Sequence, residues 1–397
     1  MNINRPLDLL GGLSPQAFMR HYWQRKPLLV RQAIPGFRPN LSIADIKQLV
    51  RRNEVESRLI RRDGNGWNMK SGPFARLPAA RAPNWTLLAQ SVDLHDDATA
   101  DLLHRFRFIS DARLDDAMIS IATDGGGVGP HFDSYDVFLL QALGQRRWRI
   151  SSQKDLTLEP GLPLKILKNF KAEHEYLLEP GDMLYLPPQV AHDGVAVGDC
   201  MTISIGFRAP TLSFLAQGLL EQASEQIAAI AHSTADAHGL RSPVGFAPAK
   251  TYSDIGSPAT ATPARLPDLM VNATLDAIKK IRFDDTMAAQ FLGLWLTELP
   301  PNAYFEPDSG HIDLNSNIPA TGALVLDRCT RLMYRDKQLF INGEVSPAPA
   351  LKIMRELADA RQLKCTAATA KMLRKREAGI LTSWLREGWL HYAQEEQ

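Results

Sequence analysis

The sequence contains no run of about 18 uncharged apolar residues, which leaves no segment suited to cross a bilayer as a helix. Cysteine is scarce. Cys200, Cys329 and Cys365 lie far apart with no Cys-x-x-Cys pair, which excludes a disulfide framework and a cysteine zinc site and reads as three buried thiols. Charge of one sign is also missing: 45 basic against 44 acidic residues give +1, so the chain is neither a strongly cationic nucleic-acid binder nor an acidic solvating segment. Met1 to Asp8 lacks a basic stretch followed by an apolar one, so the expectation is a cytoplasmic protein with no membrane partner. A 45% hydrophobic content over 397 residues is enough for a large core divided among two or three domains.

Against these absences, one constellation stands out. His131 and Asp133 are separated by one residue, and residues i and i+2 of a strand project to the same face, so one short segment can supply two ligands while Phe132 turns into a packed layer. Gly125 to Gly127 and Gly129-Pro130 form a turn just upstream, and Asp136 to Gln141 continues as a strand. A single His-x-Asp arises by chance in a chain with ten histidines. His192 changes this reading, because it follows a Pro180-Gly181-Asp182 turn, an apolar strand from Met183 to Leu186 and the Pro187-Pro188 stop. Two imidazoles and a carboxylate are the facial triad of non-haem Fe(II) oxygenases, with three coordination positions left open.

Short strands separated by Gly and Pro turns run from Met118 to about Pro210: 118–122, 137–141, 147–150, 183–186 and 201–207. Their density predicts a double-sheet jelly roll of the cupin kind, and an α+β protein overall. Upstream, Ser14-Pro15 opens a helix, Trp23, Leu28 and Leu29 are core candidates, and Asp63-Gly64-Asn65-Gly66 marks a hairpin at the barrel edge. Leu212, Leu215, Leu219, Ala223 and Ile227 recur at helical spacing, which predicts an amphipathic helix over 211–235 with a stripe suited to a dimer. A Pro/Ala/Ser/Thr-rich loop follows over 239–267, then helices at 269–281 and 287–299. The expected divisions are a catalytic domain at 1–210, a helical dimerisation region at 211–305 and a winged-helix-like domain at 306–397. The last has a hairpin of 324–334 with 338–341, then helices at 350–361 and 371–386. Its 13 basic and 10 acidic side chains over 311–397 argue against DNA binding.

An oxygenase that uses 2-oxoglutarate needs a cation inside the barrel for the distal carboxylate, and Arg146 is the candidate. On a strand it shares a face with Trp148 and Ile150 while Arg147 and Arg149 take the other, although three solvated arginines at a barrel edge would fit the pattern equally. Ser120, and Thr202 or Ser204, are candidate hydroxyl donors to the cosubstrate. Asp124 suits either a cationic substrate or, more commonly, a turn cap.

The run from Gly125 to Phe138, with Arg146-Arg147-Trp148 and Gly206 to Pro210, closely resembles the bacterial ribosomal oxygenases of the JmjC/cupin group. The resemblance covers most of the chain and implies a JmjC barrel, a helical dimerisation region and a C-terminal winged helix. It implies Fe(II) held by His131, Asp133 and His192, and 2-oxoglutarate held by Arg146 with Ser120 and Thr202. Dioxygen is the second cosubstrate, and the implied reaction is hydroxylation of an arginine in a large-subunit ribosomal protein by a homodimer. The alternatives are a cupin ligand sensor with a DNA-binding winged helix, a hydroxylase or demethylase of another protein, and a metal-free or zinc cupin.

Overall fold

A computed structural model describes residues 2–64, 66–79, 81–232, 251–307, 313–316 and 319–394. It divides into two compact units, 1–209 with 300–305, and 210–299 with 306–397. Among the described residues no helix is long and apolar enough to cross a membrane.

The first unit is built on nine strands: β1 (Leu28–Val30), β2 (Ser57–Asp63), β3 (Gly66–Ser71), β4 (Trp85–Ala89), β5 (Leu114–Ala122), β6 (Val137–Ser151), β7 (His174–Leu178), β8 (Met183–Leu186) and β9 (Ala191–Phe207). They pair antiparallel in the order β1-β8-β6-β9-β5-β4-β2-β3, with β7 added to β6. This antiparallel sheet is of the cupin kind expected from the strand density. The helices α1 (Pro15–His21), α2 (Ile43–Leu49) and α3 (Asp97–His104) complete the unit. Ser14 caps α1 by accepting the Ala17 amide, as the Ser-Pro signal predicts. The hairpin expected around Asp63 to Gly66 joins β2 to β3, and β3 ends the sheet order as an edge strand.

Alternation sorts each strand into two layers. Ile119, Ile121, Ile203, Ile205 and Phe207 join Phe18 and Phe106 in one core, with Trp23 and Leu28 packed against it. Val137, Leu139, Trp148, Ile150, Leu184 and Leu186 form the other, with Leu29 beside it. In β6 the phase changes along the strand: Val137 and Leu139 are odd, Trp148 and Ile150 even. The pairing with β9 is irregular between Gln141 and Gln145, and a one-residue slip there exchanges the faces. Gly144 sits in the irregularity at φ +61°, where a Cβ would also run into the Asp199 carbonyl.

Several expectations are corrected in detail. The strands expected at 137–141 and 147–150 are one strand, because the irregularity bends the ladder without ending it. The strand expected at 201–207 extends back to Ala191 and carries His192 within it. β4 and β7 were not foreseen.

The second unit contains α4 (Leu212–His232), α5 (Asp268–Ile278), α6 (Asp285–Thr297), α7 (Lys352–Ala360), α8 (Ala367–Met372) and α9 (Lys375–Arg386), with strands β10 (Ala323–Leu326), β11 (Leu332–Arg335), β12 (Gln338–Ile341), β13 (Glu344–Val345), β14 (Gln362–Lys364) and β15 (Leu390–Ala393). The expected arm 324–334 is two strands in different sheets: β10 lies between β14 and β15, while β11 pairs with β12. The helix expected over 371–386 is broken at Leu373 and Arg374, both extended, where Leu373 enters the core beside Leu357 and Leu381. Of the expected loop, 251–267 has no helix or strand, and 239–250 lies outside the described residues.

Candidate metal centre and its surroundings

His192 stands on β9 and His131 on the segment that crosses it. Their backbones exchange two hydrogen bonds, His131 N to His192 O at 2.9 Å and the reverse at 2.8 Å. The pairing is an isolated bridge rather than part of a strand, so His131 and Asp133 owe their common direction to this bridge and to Gln189 N, which donates to the Asp133 carbonyl at 2.8 Å. One ligand atom from each of His131, Asp133 and His192 lies within 4.8 Å of the other two, and His192 Nε2 is 3.6 Å from Asp133 Oδ2. Phe132, between them, is half-buried.

Both rings are locked by their own chain. His131 Nδ1 lies 2.9 Å from the Gly129 carbonyl, and His192 Nδ1 2.9 Å from the Val190 carbonyl. A carbonyl only accepts, so each Nδ1 carries the proton and each Nε2 keeps its lone pair for a metal. Burial first, and His131 second, hold the His192 pKa down to about 4, so the ring is neutral near pH 7. Two imidazoles and a carboxylate, with their ligand atoms converging, fit a divalent transition metal. The Trp148 ring lies against this group, 5.9 Å from the His192 ring, and only a glycine at 194 lets it sit there.

Arg146 is buried, while Arg147 is exposed and Arg149 half-exposed, so the phase that was open in the sequence is decided by the β6 irregularity. Arg149 pairs with Asp193. Arg146 Nε and Nη2 are buried with no hydrogen-bond partner among the described residues, and its guanidinium stands 5.7 Å from the Trp148 ring centre. Leaving such donors unmet is costly, which makes this a place for an anion. Ser120 and Thr202 are also buried and are register partners on β5 and β9. Ser120 Oγ donates to the Thr202 carbonyl at 3.4 Å, and Thr202 Oγ1 donates to Gln141 Oε1 at 3.0 Å. Ser204 lies two residues along on the same strand, buried. Asp124 is exposed and accepts the Gly198 amide at 2.8 Å, the turn-closing role.

Three residues not singled out from the sequence lie beside the candidate residues. Gln141 is buried where β6 becomes irregular, anchored by Leu143 O and Thr202. Tyr135, two residues past Asp133, has its phenol pushed upward by burial and by Asp133 and Asp116. Asp116, on β5, is raised to about 6 by burial and then by Asp115, and its carboxylate is held by the Ser91 amide at 2.9 Å. The Asp115-Asp116 pair in a strand was the available signal. Asp136, read as an ordinary strand residue, is fully buried and accepts from Tyr185 OH, Gln24 Nε2 and Arg113.

An antiparallel barrel with a buried two-histidine, one-carboxylate cluster and an unmet arginine facing its interior is the frame of a metal-dependent cupin. Residues 101–215 match the JmjC domain family and residues 280–391 the ROXA-like winged helix family. The ribosomal protein uL16 3-hydroxylase of Escherichia coli (strain K12) is 38% identical over 205 residues, 51% of this chain and 55% of that protein. The match thus spans about half the length of that curated relative. The structure of YcfD, a ribosomal oxygenase from Escherichia coli, superposes with a TM-score of 0.76 at 26% identity, covering 96% of this chain and 98% of that one. A second YcfD structure, in complex with cobalt and 2-oxoglutarate, gives 0.75 at 26% identity over 94% and 97%. The chain thus carries a JmjC-family domain and a ROXA-like winged helix, and is similar along nearly its whole length to a bacterial ribosomal oxygenase.

Proposed function

We propose that this protein is an Fe(II)- and 2-oxoglutarate-dependent oxygenase that hydroxylates an arginine side chain of a large-subunit ribosomal protein. The observation that carries the reading is the coincidence of the three converging ligands with the unpartnered, buried Arg146. His131, Asp133 and His192 would hold the iron and Arg146 the far carboxylate of 2-oxoglutarate, as a charge-assisted pair. With iron, 2-oxoglutarate and dioxygen bound, the site has the oxidising power to attack an unactivated carbon. The chain's own contribution is positioning: Nδ1 locking keeps both Nε2 atoms directed at the metal, and Trp148 keeps water from the arginine. Ser120 and Thr202 are secondary donors. Thr202 has one proton, now given to Gln141, so it reaches a carboxylate only by releasing that bond.

An arginine target is supported by Tyr135 and Asp116, which offer an aromatic face and a carboxylate to a guanidinium, whereas Asp115 is already paired with Arg208 at 3.2 Å. The name of one relative, a ribosomal protein uL16 3-hydroxylase, supports a ribosomal substrate, and from that we infer a cytoplasmic location. The three-part division at 210 and 305 is retained as a proposal, with dimerisation through the helical region. Leu269, Met270, Val271, Leu275 and Ile278 of α5 are all exposed there. A DNA-binding role is not favoured.

The test is mass spectrometry of large-subunit proteins from cells carrying the native chain or His131→Ala. One added oxygen on an arginine peptide, present only with the native chain, is expected. Identical spectra would overturn the ribosomal substrate and leave 2-oxoglutarate turnover as the remaining assay of the site.

A further inference from the structure

A groove of about 370 Å³ runs between α4 and α6, within the second unit. Its floor is aromatic. Phe214 lies 4.9 Å from Trp295, and Phe291 stacks on Trp295 at 6.1 Å with the planes 9° apart. Gly218 makes the approach of α6 feasible, because a Cβ there would overlap the Phe291 ring. Its rim carries Glu221 and Glu225 on α4 and Glu298 at the end of α6.

These carboxylates are placed against the interests of the helices that hold them. Glu221 and Glu225 are like charges at i,i+4, and Glu298 adds negative charge to the carbonyl end of α6, which is already negative. All three are exposed, and none forms an ion pair among the described residues. Arg331 donates to the Glu298 backbone carbonyl at 2.9 Å. Glu221 accepts from Gln217 Nε2 at 2.9 Å, a neutral donor that leaves its charge in place. Carboxylates without an ion-pair partner among the described residues, beside partly exposed aromatic rings, suit a cation on an apolar stem, whose methylenes lie on rings and whose head meets carboxylates.

We propose that this groove is a docking site for a lysine or arginine side chain of the protein substrate, away from the residue that is modified. The inference rests on the function proposed above, since a protein that lives against RNA phosphates must present cationic side chains. The groove adds a second hold on the same partner and takes no part in the chemistry.

The experiment compares the native chain with Glu221→Gln/Glu225→Gln/Glu298→Gln, using intact uL16 and a short uL16 peptide containing the modified arginine. For intact uL16 the KM rises about tenfold with kcat unchanged, while the peptide's KM stays the same. Equal KM values for intact uL16 would overturn the proposal. So would a change from dimer to monomer in light scattering, which would assign the groove to a second copy of the chain. If the native chain turns over neither probe, the function proposed above fails, and labelled uL16 binding measured by anisotropy decides the groove separately. Weaker, less salt-sensitive binding to the triple variant supports the groove, and equal binding ends it.

Discussion

Arg146 shows how much one side chain's surroundings determine here. Its Nε and Nη2 have no hydrogen-bond partner among the described residues, so the site should bind a dicarboxylate more tightly than a monocarboxylate of equal length. Arg146→Lys removes the two-pronged geometry and should raise the 2-oxoglutarate KM by about tenfold or more, read from succinate release. Asp116 makes an opposite demand. Its folded pKa, about 6, stands above the ordinary 3.8, so the folded state holds a proton that the unfolded chain has lost. That contribution is present below about pH 4 and disappears as pH rises through 6. Asp116→Asn should therefore melt higher than the native protein at pH 7, with little difference at pH 4, while its KM for an arginine substrate rises. Equal melting shifts at both pH values would show that the charge is not strained. His192 has the reverse sign: its depressed pKa makes unfolding easier as pH falls from about 6.5 towards 4.

At the scale of elements, the β6 irregularity decides which arginine faces the interior. Gly144→Val, at a positive φ and against the Asp199 carbonyl, should disturb the register and cost about 2 kcal/mol or more of stability in a denaturant melt. It should also raise the 2-oxoglutarate KM, although residue 144 is not itself a ligand. The sequence carried the ligand spacing, the Gly-rich turn, β8 and the Ser14 cap, because these are local signals. It did not reveal that β6 and β9 run on through irregular pairing, since register is set by the partner strand. Nor did it reveal Gln141, Asp116 or Tyr135, whose roles come from strands brought together by folding. The break in the 371–386 helix was hidden for the same reason, for no Gly or Pro marks where Leu373 turns inward.

For the whole molecule, α5 exposes Leu269, Met270, Val271, Leu275 and Ile278 together, more than an isolated helix would leave in water without a partner. If the proposed dimer forms through α5, Leu275→Lys should shift the chain from dimer to monomer in light scattering, and an unchanged mass would remove α5 from the interface. The C-terminal module should show no salt-dependent affinity for duplex DNA, in keeping with its small excess of basic residues.

The reciprocal hydrogen bonds between His131 and His192 tie the two ligand-bearing segments together through the backbone alone. Metallation is thus separable from folding: chelator-stripped protein should keep most of its melting temperature and regain activity on addition of iron. The site's donor set of two imidazoles and a carboxylate suits several divalent transition ions. Which ion occupies it in a cell will follow supply more than affinity, so zinc, nickel or cobalt in excess should act as competitive poisons.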